Sequence, residues 1–234
     1  MKKHFFTSII ALALFCLSAS AQVSYGIKGG FNLSNIKLSE SGLSISPKDL
    51  AGFHVGVIAD IPLVSNLYLQ PGLFASRKGF DFSLSESFNT GEYVYPSVNK
   101  EVNLSVDLAA KPLYLELPLL LSFRLPINAG LSLALEAGPY AAYGIGGDAV
   151  IKASYDGTEV LNETKDFFKD SQVNRFDAGA QMGLGLYVGR FMFSAGYQMG
   201  LVNMAMKEVG SELVLEPDTK AVNRNLIISA GIRF

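Results

Sequence analysis

The sequence predicts an all-β fold, an eight-stranded antiparallel up-and-down transmembrane β-barrel preceded by a cleaved signal peptide. Three observations carry this. The N-terminus reads as an export signal. The chain is apolar overall, yet no mature stretch is long enough for a membrane helix. Its apolar residues recur at every second position in eight segments, with charge kept to the other phase.

Met1, Lys2 and Lys3 give a positive start, an apolar run follows from Phe5 to Leu17, and Ala19-Ser20-Ala21 supplies the small residues of a cleavage site. The cut is expected before Gln22, so residues 1–21 read as signal peptide and 22–234 as one barrel domain. The run is short for a membrane anchor, and a cleavage site follows it. Cys16 follows Phe15, where a lipoprotein site needs a small residue, so it belongs to the signal. The mature chain then has no cysteine and a single histidine, His54. This excludes disulfides, thiolate catalysis and cysteine-based metal sites. A net charge of −2 without any basic run argues against a nucleic-acid partner.

Composition is 49% hydrophobic and 17% charged, but past the signal nothing approaches the ~18 consecutive apolar residues of a membrane helix. A strand in a barrel wall turns alternate side chains to lipid and lumen, so the wall reads with a period of two. The first segment sets Val23, Tyr25, Ile27, Gly29, Phe31 and Leu33 against Ser24, Gly26, Lys28, Gly30 and Asn32. The second alternates from Phe53 to Ile61, with His54 and Asp60 in the other phase. The third runs from Leu67 to Ala75 against Tyr68, Gln70 and Ser76, and the fourth from Leu113 to Leu125 against Glu116 and Arg124. Leu131 to Tyr143 encloses Glu136, and Phe176 to Val188 encloses Asp177. Phe191 to Leu201 alternates with Ser194 and Gln198, and Leu226 to Phe234 with Ser229 and Arg233.

No apolar-phase position is charged, whereas Lys28, Asp60, Glu116, Arg124, Glu136, Asp177 and Arg233 all occupy the other phase. A Lys or Arg facing lipid at the bilayer midplane costs roughly 2–4 kcal/mol, which explains the exclusion. The second phase is otherwise dominated by Gly, Ser and Ala, which suits a narrow lumen better than the wet face of a soluble sandwich. Pro62 to Asn66, Pro126 to Gly130 and the Gly189-Arg190 corner read as tight turns. The links Ser34–Leu50, Gly79–Ala110, Gly147–Asn174 and Asn203–Arg224 read as long and polar. Short turns in the periplasm and long loops outside are the outer-membrane arrangement.

These residues resemble a known family, the outer-membrane β-barrel domain common in Bacteroidetes and labelled porin-family or PorT-like. The resemblance covers nearly the whole mature chain. It rests on Tyr25-Gly26-Ile27-Lys28-Gly29-Gly30, Leu69-Gln70-Pro71-Gly72-Leu73 with Lys78-Gly79, and Leu113-Tyr114-Leu115-Glu116-Leu117-Pro118-Leu119. Ala137-Gly138-Pro139-Tyr140-Ala141, Tyr197-Gln198-Met199-Gly200-Leu201 and the closing Gly231-Ile232-Arg233-Phe234 complete it. The resemblance implies a location in the outer membrane. It also implies that Phe234 resembles the terminal aromatic read by outer-membrane insertion machinery, besides being one more lipid-facing side chain.

Eight strands enclose a lumen just wide enough for side chains. The seven inward charges therefore read as an ion-pair network that fills it, with a narrow ion path as the alternative. Strand direction puts Asp60, Arg124 and Arg233 near the periplasmic end and Lys28, Glu116 and Glu136 deeper. No enzyme is expected: a barrel hydrolase needs a nucleophile and histidine beside lipid, and the phase of His54 points inward. No cofactor or metal is expected either, because Asp156-Gly157 and Glu216-Pro217-Asp218 read as turns. Phe80, Phe82 and Leu84, answered by Val102, Leu104, Val106 and Leu108, predict a hairpin projecting beyond the membrane with Phe88, Tyr93 and Tyr95 at its tip. Such an edge offers a binding surface. The functional reading is a structural or surface-binding barrel. The alternative is a component of a secretion or envelope-assembly system, as the PorT resemblance implies, or a narrow porin-like transporter. Expected partners are outer-membrane lipid and lipopolysaccharide, the insertion machinery and an extracellular ligand or protein, with the chain a monomer.

Overall fold

The computed structural model describes residues 23–40, 43–45, 48–89, 101–169, 174–203 and 220–234. The signal peptide and its cleavage site lie outside them. The strands are β1 (Ser24–Glu40), β2 (Leu43–Ile45), β3 (Lys48–Val64), β4 (Leu67–Arg77), β5 (Phe80–Asn89), β6 (Glu101–Asn128), β7 (Leu131–Tyr155), β8 (Thr158–Asp166), β9 (Phe176–Val188), β10 (Phe191–Gly200) and β11 (Lys220–Arg233). Eight of them, β1, β3, β4, β6, β7, β9, β10 and β11, pair antiparallel in that order, and β11 returns to β1. The ring is closed, and each of the eight alternating segments lies in one of its strands. The seam runs from Gly26↔Arg233 to Ser39↔Lys220.

The two phases separate as lipid and lumen demand. Phe31 is 73% exposed, Leu117 56%, Met182 59% and Ile228 56%, while Glu116, Glu136, Asp177 and Gln198 between such residues are buried. A ring of exposed large apolar side chains around a polar interior inverts the soluble arrangement and needs an apolar solvent. Leu113 to Leu125 of β6 spans on the order of 30 Å of band height at ~3.3 Å per residue and ~40° tilt. Polar and charged residues enter the outer phase at one level, where Asn35 pairs with Arg224 across the seam. Arg77 meets Asp148 there at 3.8 Å.

The polar links between the expected strands are shorter than the spacing predicts, because the strands continue into them. β6 and β7 stay paired from Asn128↔Leu131 up to Leu104↔Tyr155. β5 adds to one side of this extension and β8 to the other, making a four-stranded sheet beyond the band. β5 realises the predicted hairpin with β6, with Phe82↔Leu108 and Leu84↔Val106 in register. β8 is a correction to the reading of Gly147–Asn174 as loop. The Asp156-Gly157 turn, with φ of 51° and 78°, has the left-handed geometry of a tight hairpin and folds β8 back onto β7.

A phase inversion marks where the membrane ends. Within the band the odd positions of β6 are apolar and face lipid. Beyond Lys111 the odd positions become Asp107, Ser105 and Asn103, while the even ones become Leu108, Val106 and Leu104. The outward face has passed from lipid to water, and the inward face no longer encloses a lumen. Leu117, outward and mid-band, tests this assignment. Leu117→Arg is expected to lower stability by about 2–4 kcal/mol, read by urea unfolding of the protein inserted in lipid vesicles; an unchanged midpoint would contradict a lipid-facing Leu117.

Candidate functional site

The lumen is filled from end to end by side chains of the inward phase. Near the short turns, Arg124 Nη2 lies 2.7 Å from Asp60 Oδ1 and Arg233 Nη1 lies 3.5 Å from Asp60 Oδ2. Gln70 donates to the same carboxylate at 2.7 Å. The Arg124 guanidinium sits between two rings, 4.0 Å from the centre of Tyr68 and 3.9 Å from that of Tyr187. A planar, weakly hydrated guanidinium suits such a sandwich better than an ammonium would. Tyr187 then donates its hydroxyl to Glu136 Oε1 at 2.6 Å, and Lys28 Nζ stands 3.7 Å from Glu136 Oε2.

The other half centres on a residue missing from the seven expected charges. Lys78 Nζ lies 2.6 Å from Glu116 Oε2, 3.9 Å from Asp177 Oδ2 and 4.6 Å from the Tyr140 ring centre. Tyr140 and Asn223 donate to Asp177 Oδ2 at 3.2 and 2.9 Å. Gln198 donates to both Glu116 and Gln181, and Asn225 donates to Gln198. The signal for Lys78 was its phase, which continues from Gln70 and Ser76. The polar link that begins at Gly79 reads as the end of the strand, which hides Lys78 beside it. With Lys78 the ring holds four cations (Lys28, Lys78, Arg124, Arg233) against four carboxylates (Asp60, Glu116, Glu136, Asp177). Asp60, Arg124 and Arg233 come together. Lys28 pairs with Glu136, and Glu116 and Asp177 pair with Lys78.

The mouth away from the short turns is closed by a device the sequence did not signal. After β8, Asp166 Oδ1 accepts the backbone N–H groups of Phe168 and Lys169, each at 3.0 Å, and turns the chain inward. Phe167 and Phe168 are buried with Tyr114, Tyr140 and Ala142. Phe168 meets Tyr114 edge-on at 5.7 Å. A Cβ on Gly144 would stand 2.1 Å from the Phe168 ring, so the strand has room for the cap only because residue 144 is glycine.

His54 faces the lumen, its Nδ1 2.7 Å from Asn32 Oδ1 and its Nε2 2.8 Å from Ser229 Oγ. Serine, histidine and a carbonyl in line have the connectivity of a hydrolytic triad. The space beside Ser229 is a cavity of about 30 Å³, shared with Lys28, Gln70 and Glu116. That volume holds a water or two and no acyl substrate. Asn32 also donates to Ser76 Oγ at 3.0 Å, so the row works as a hydrogen-bonded tie across β1, β3, β4 and β11. Among the described residues no group of three or more His, Cys, Asp or Glu is placed to hold a metal.

At the surface, the projecting sheet has two unlike faces. Leu84, Val106, Leu104, Ala153, Tyr155 and Leu161 share one, as the registers Leu84↔Val106, Leu104↔Tyr155 and Ala153↔Leu161 show. Ser85, Ser105, Asp107, Lys152, Ser154 and Asn162 share the other. The apolar face is open: Leu84 is 54% exposed, Tyr155 50%, and Leu104 and Leu161 39% each. Among the described residues β8 pairs only with β7, and none of them pairs with its outer edge. Phe88 lies opposite Val102 in β5; its side chain, Tyr93, Tyr95 and the Glu216–Asp218 segment lie outside the described residues. Phe234 exchanges backbone hydrogen bonds with Tyr25, and its ring is 69% exposed in the lipid phase.

Two outcomes follow from the filled lumen. Lys78→Met leaves Glu116 and Asp177 without their cation, and the expected cost is about 3–5 kcal/mol by urea unfolding in vesicles, with part recovered when Glu116→Gln is added. In planar bilayers the purified protein is expected to show no regular single-channel openings; large, stable steps would contradict a lumen closed by these contacts.

A search of curated proteins finds no match. Among solved structures, the chain is similar to Ail, the attachment invasion locus protein of Yersinia pestis, crystallised with the heparin analogue sucrose octasulfate. Identity is 16%, covering 91% of this chain and 99% of that one, with a TM-score of 0.36. It is similar to Neisserial surface protein A at 12% identity over 91% and 99% of the two chains, TM-score 0.35. It is also similar to the Pseudomonas putida toluene transporter TodX at 11% identity over 95% and 92%, with a TM-score of 0.24. A family model described as the outer membrane protein beta-barrel domain matches residues 18–205. The chain belongs to that family of outer-membrane β-barrels.

Proposed function

We propose that this protein acts at the cell surface, its closed barrel serving to hold a four-stranded sheet beyond the membrane where the sheet binds an extracellular ligand or protein. One observation carries the reading: the projecting sheet presents Leu84, Leu104, Tyr155 and Leu161 together on an open apolar face. Burying such area is favourable by about 25 cal/mol per Å², so a partner that covers the face gains affinity directly. The outer edge of β8, which no described residue pairs, adds backbone donors and acceptors in register with that face. A lumen occupied by ion pairs supports binding over solute transport.

In this reading residues 1–21 are the export signal, and Phe234 is the aromatic presented to the insertion machinery. Arg77 and Lys111, on the outer phase just above the apolar band, meet the phosphates of lipopolysaccharide. The family's finer placement, PorT-like and from Bacteroidetes, is part of the same proposal.

The test uses intact cells displaying the wild-type protein or the double variant Leu104→Asp, Leu161→Asp, compared on arrays of extracellular proteins and glycans. Retained wild-type binding is expected to fall about tenfold or more in the variant, the equivalent of ~1.4 kcal/mol of lost apolar contact. Heat-dependent gel mobility should stay unchanged, as the barrel is untouched. Wild-type cells that bind nothing, or a variant that binds equally, would overturn the proposal.

A further inference from the structure

The lipid-facing wall is not uniform at the end that carries the short turns. Three strands bring small residues of the outer phase side by side: Gly29 opposite Ala230 across the seam, and Ala195 one row above on β10. Large side chains stand around them, Phe31 and Ile228 on one side, Leu184, Leu186 and Phe193 on the other. The result is an almost wholly apolar recess of about 560 Å³ on the outside of the barrel.

A second recess lies beside it, nearer the turns. One row further along the same strands, Leu131, Val188, Phe191 and Ile232 lie in register. They line this open recess of about 820 Å³ together with Arg190. Arg190 is the single charged residue in the three short turns, Ser65-Asn66, Ala129-Gly130 and Gly189-Arg190. It is exposed and forms no ion pair with a described residue. From Arg190 to Ala195 is about 16 Å of strand at ~3.3 Å per residue, or ~13 Å of depth at ~40° tilt, most of the ~15 Å that half of a ~30 Å hydrocarbon core supplies. Two neighbouring apolar recesses thus form a channel-like track that leads to a guanidinium with no ion pair among the described residues.

We propose that this channel is a binding site for one phospholipid of the inner leaflet, its phosphodiester on Arg190 and one acyl chain lying over Ala195, Ala230 and Gly29. The charge selects the ligand class, since a fork of N–H donors binds a phosphate oxygen pair far better than a neutral hydroxyl. The position selects the leaflet, because the short turns lie on the periplasmic side in the family's arrangement. Lipopolysaccharide, confined to the opposite leaflet, does not reach Arg190. The site is independent of the projecting sheet and of whatever that sheet binds.

Native mass spectrometry of the protein released from micelles doped with 1-palmitoyl-2-oleoyl-phosphatidylglycerol tests this. The wild-type chain is expected to retain one lipid adduct. Arg190→Ala is expected to reduce the retained fraction about tenfold, as removing a charge-assisted pair of hydrogen bonds should. Ala195→Phe fills the channel from the lipid side and should abolish retention with the heat-dependent gel mobility of a folded barrel intact. Dioleoylglycerol, which has the chains without the phosphate, and inorganic phosphate, which lacks the chains, should each fail to bind. Absence of the wild-type adduct, equal retention by both variants, or equal retention of dioleoylglycerol would each overturn the proposal.

Discussion

The pairing of β1 with β11 is the interaction on which the rest depends. In the hydrocarbon core the backbone has no water to bond, and each unpaired N–H or C=O costs several kcal/mol. A sheet with two free edges would leave two rows of such groups in lipid. The seam from Gly26↔Arg233 to Ser39↔Lys220 removes both. Joining the first strand to the last also makes the fold non-local, since no part of the ring is free of edges until the C-terminal strand is in place.

Closure with eight strands sets the lumen's width, and the width sets its chemistry. There is room for side chains but not for a continuous column of water. Each inward charge must therefore meet its opposite within a few ångströms. The pairs do not balance locally. Asp60 faces two guanidinium groups at the short-turn end, and Lys78 faces two carboxylates at the other. Neutrality belongs to the lumen as a whole, with Lys28 and Glu136 between the two halves. Tyrosines and amides carry the contacts through: Tyr187 links Glu136 to the Arg124 sandwich, and Gln198 links Glu116 to Gln181. Such a network ties strands distant in sequence, as His54 does between Asn32 and Ser229.

Above the membrane the same strands serve a second purpose without a second domain. β6 and β7 stay paired as they leave the band, with one register shift where Tyr114 faces Gly144 and Leu113 faces Gly146, and the solvent on their outer face changes. The side-chain pattern follows that solvent, which is why polar and apolar positions exchange phase near Lys111. The ring thereby extends into the medium, and the projecting sheet is carried on the β6–β7 ladder, which resumes past the shift from Leu113↔Gly146 to Leu104↔Tyr155.

The local sequence determined the wall. Alternation in the eight segments, charge confined to one phase and three tight turns specify strand count, the lipid face and which side chains enter the lumen, because a strand's period of two is a purely local property. What the local sequence did not determine was partnership. That Lys78 completes the charge balance depends on shear, which decides which inward residues of non-adjacent strands lie level, and shear exists only once the ring has closed. The Phe167–Phe168 cap and its seat at Gly144 depend on a loop returning over the mouth, a contact between elements that no periodicity records. The recess beside Arg190 arises from small residues on β1, β10 and β11, which become neighbours only through pairing across the seam.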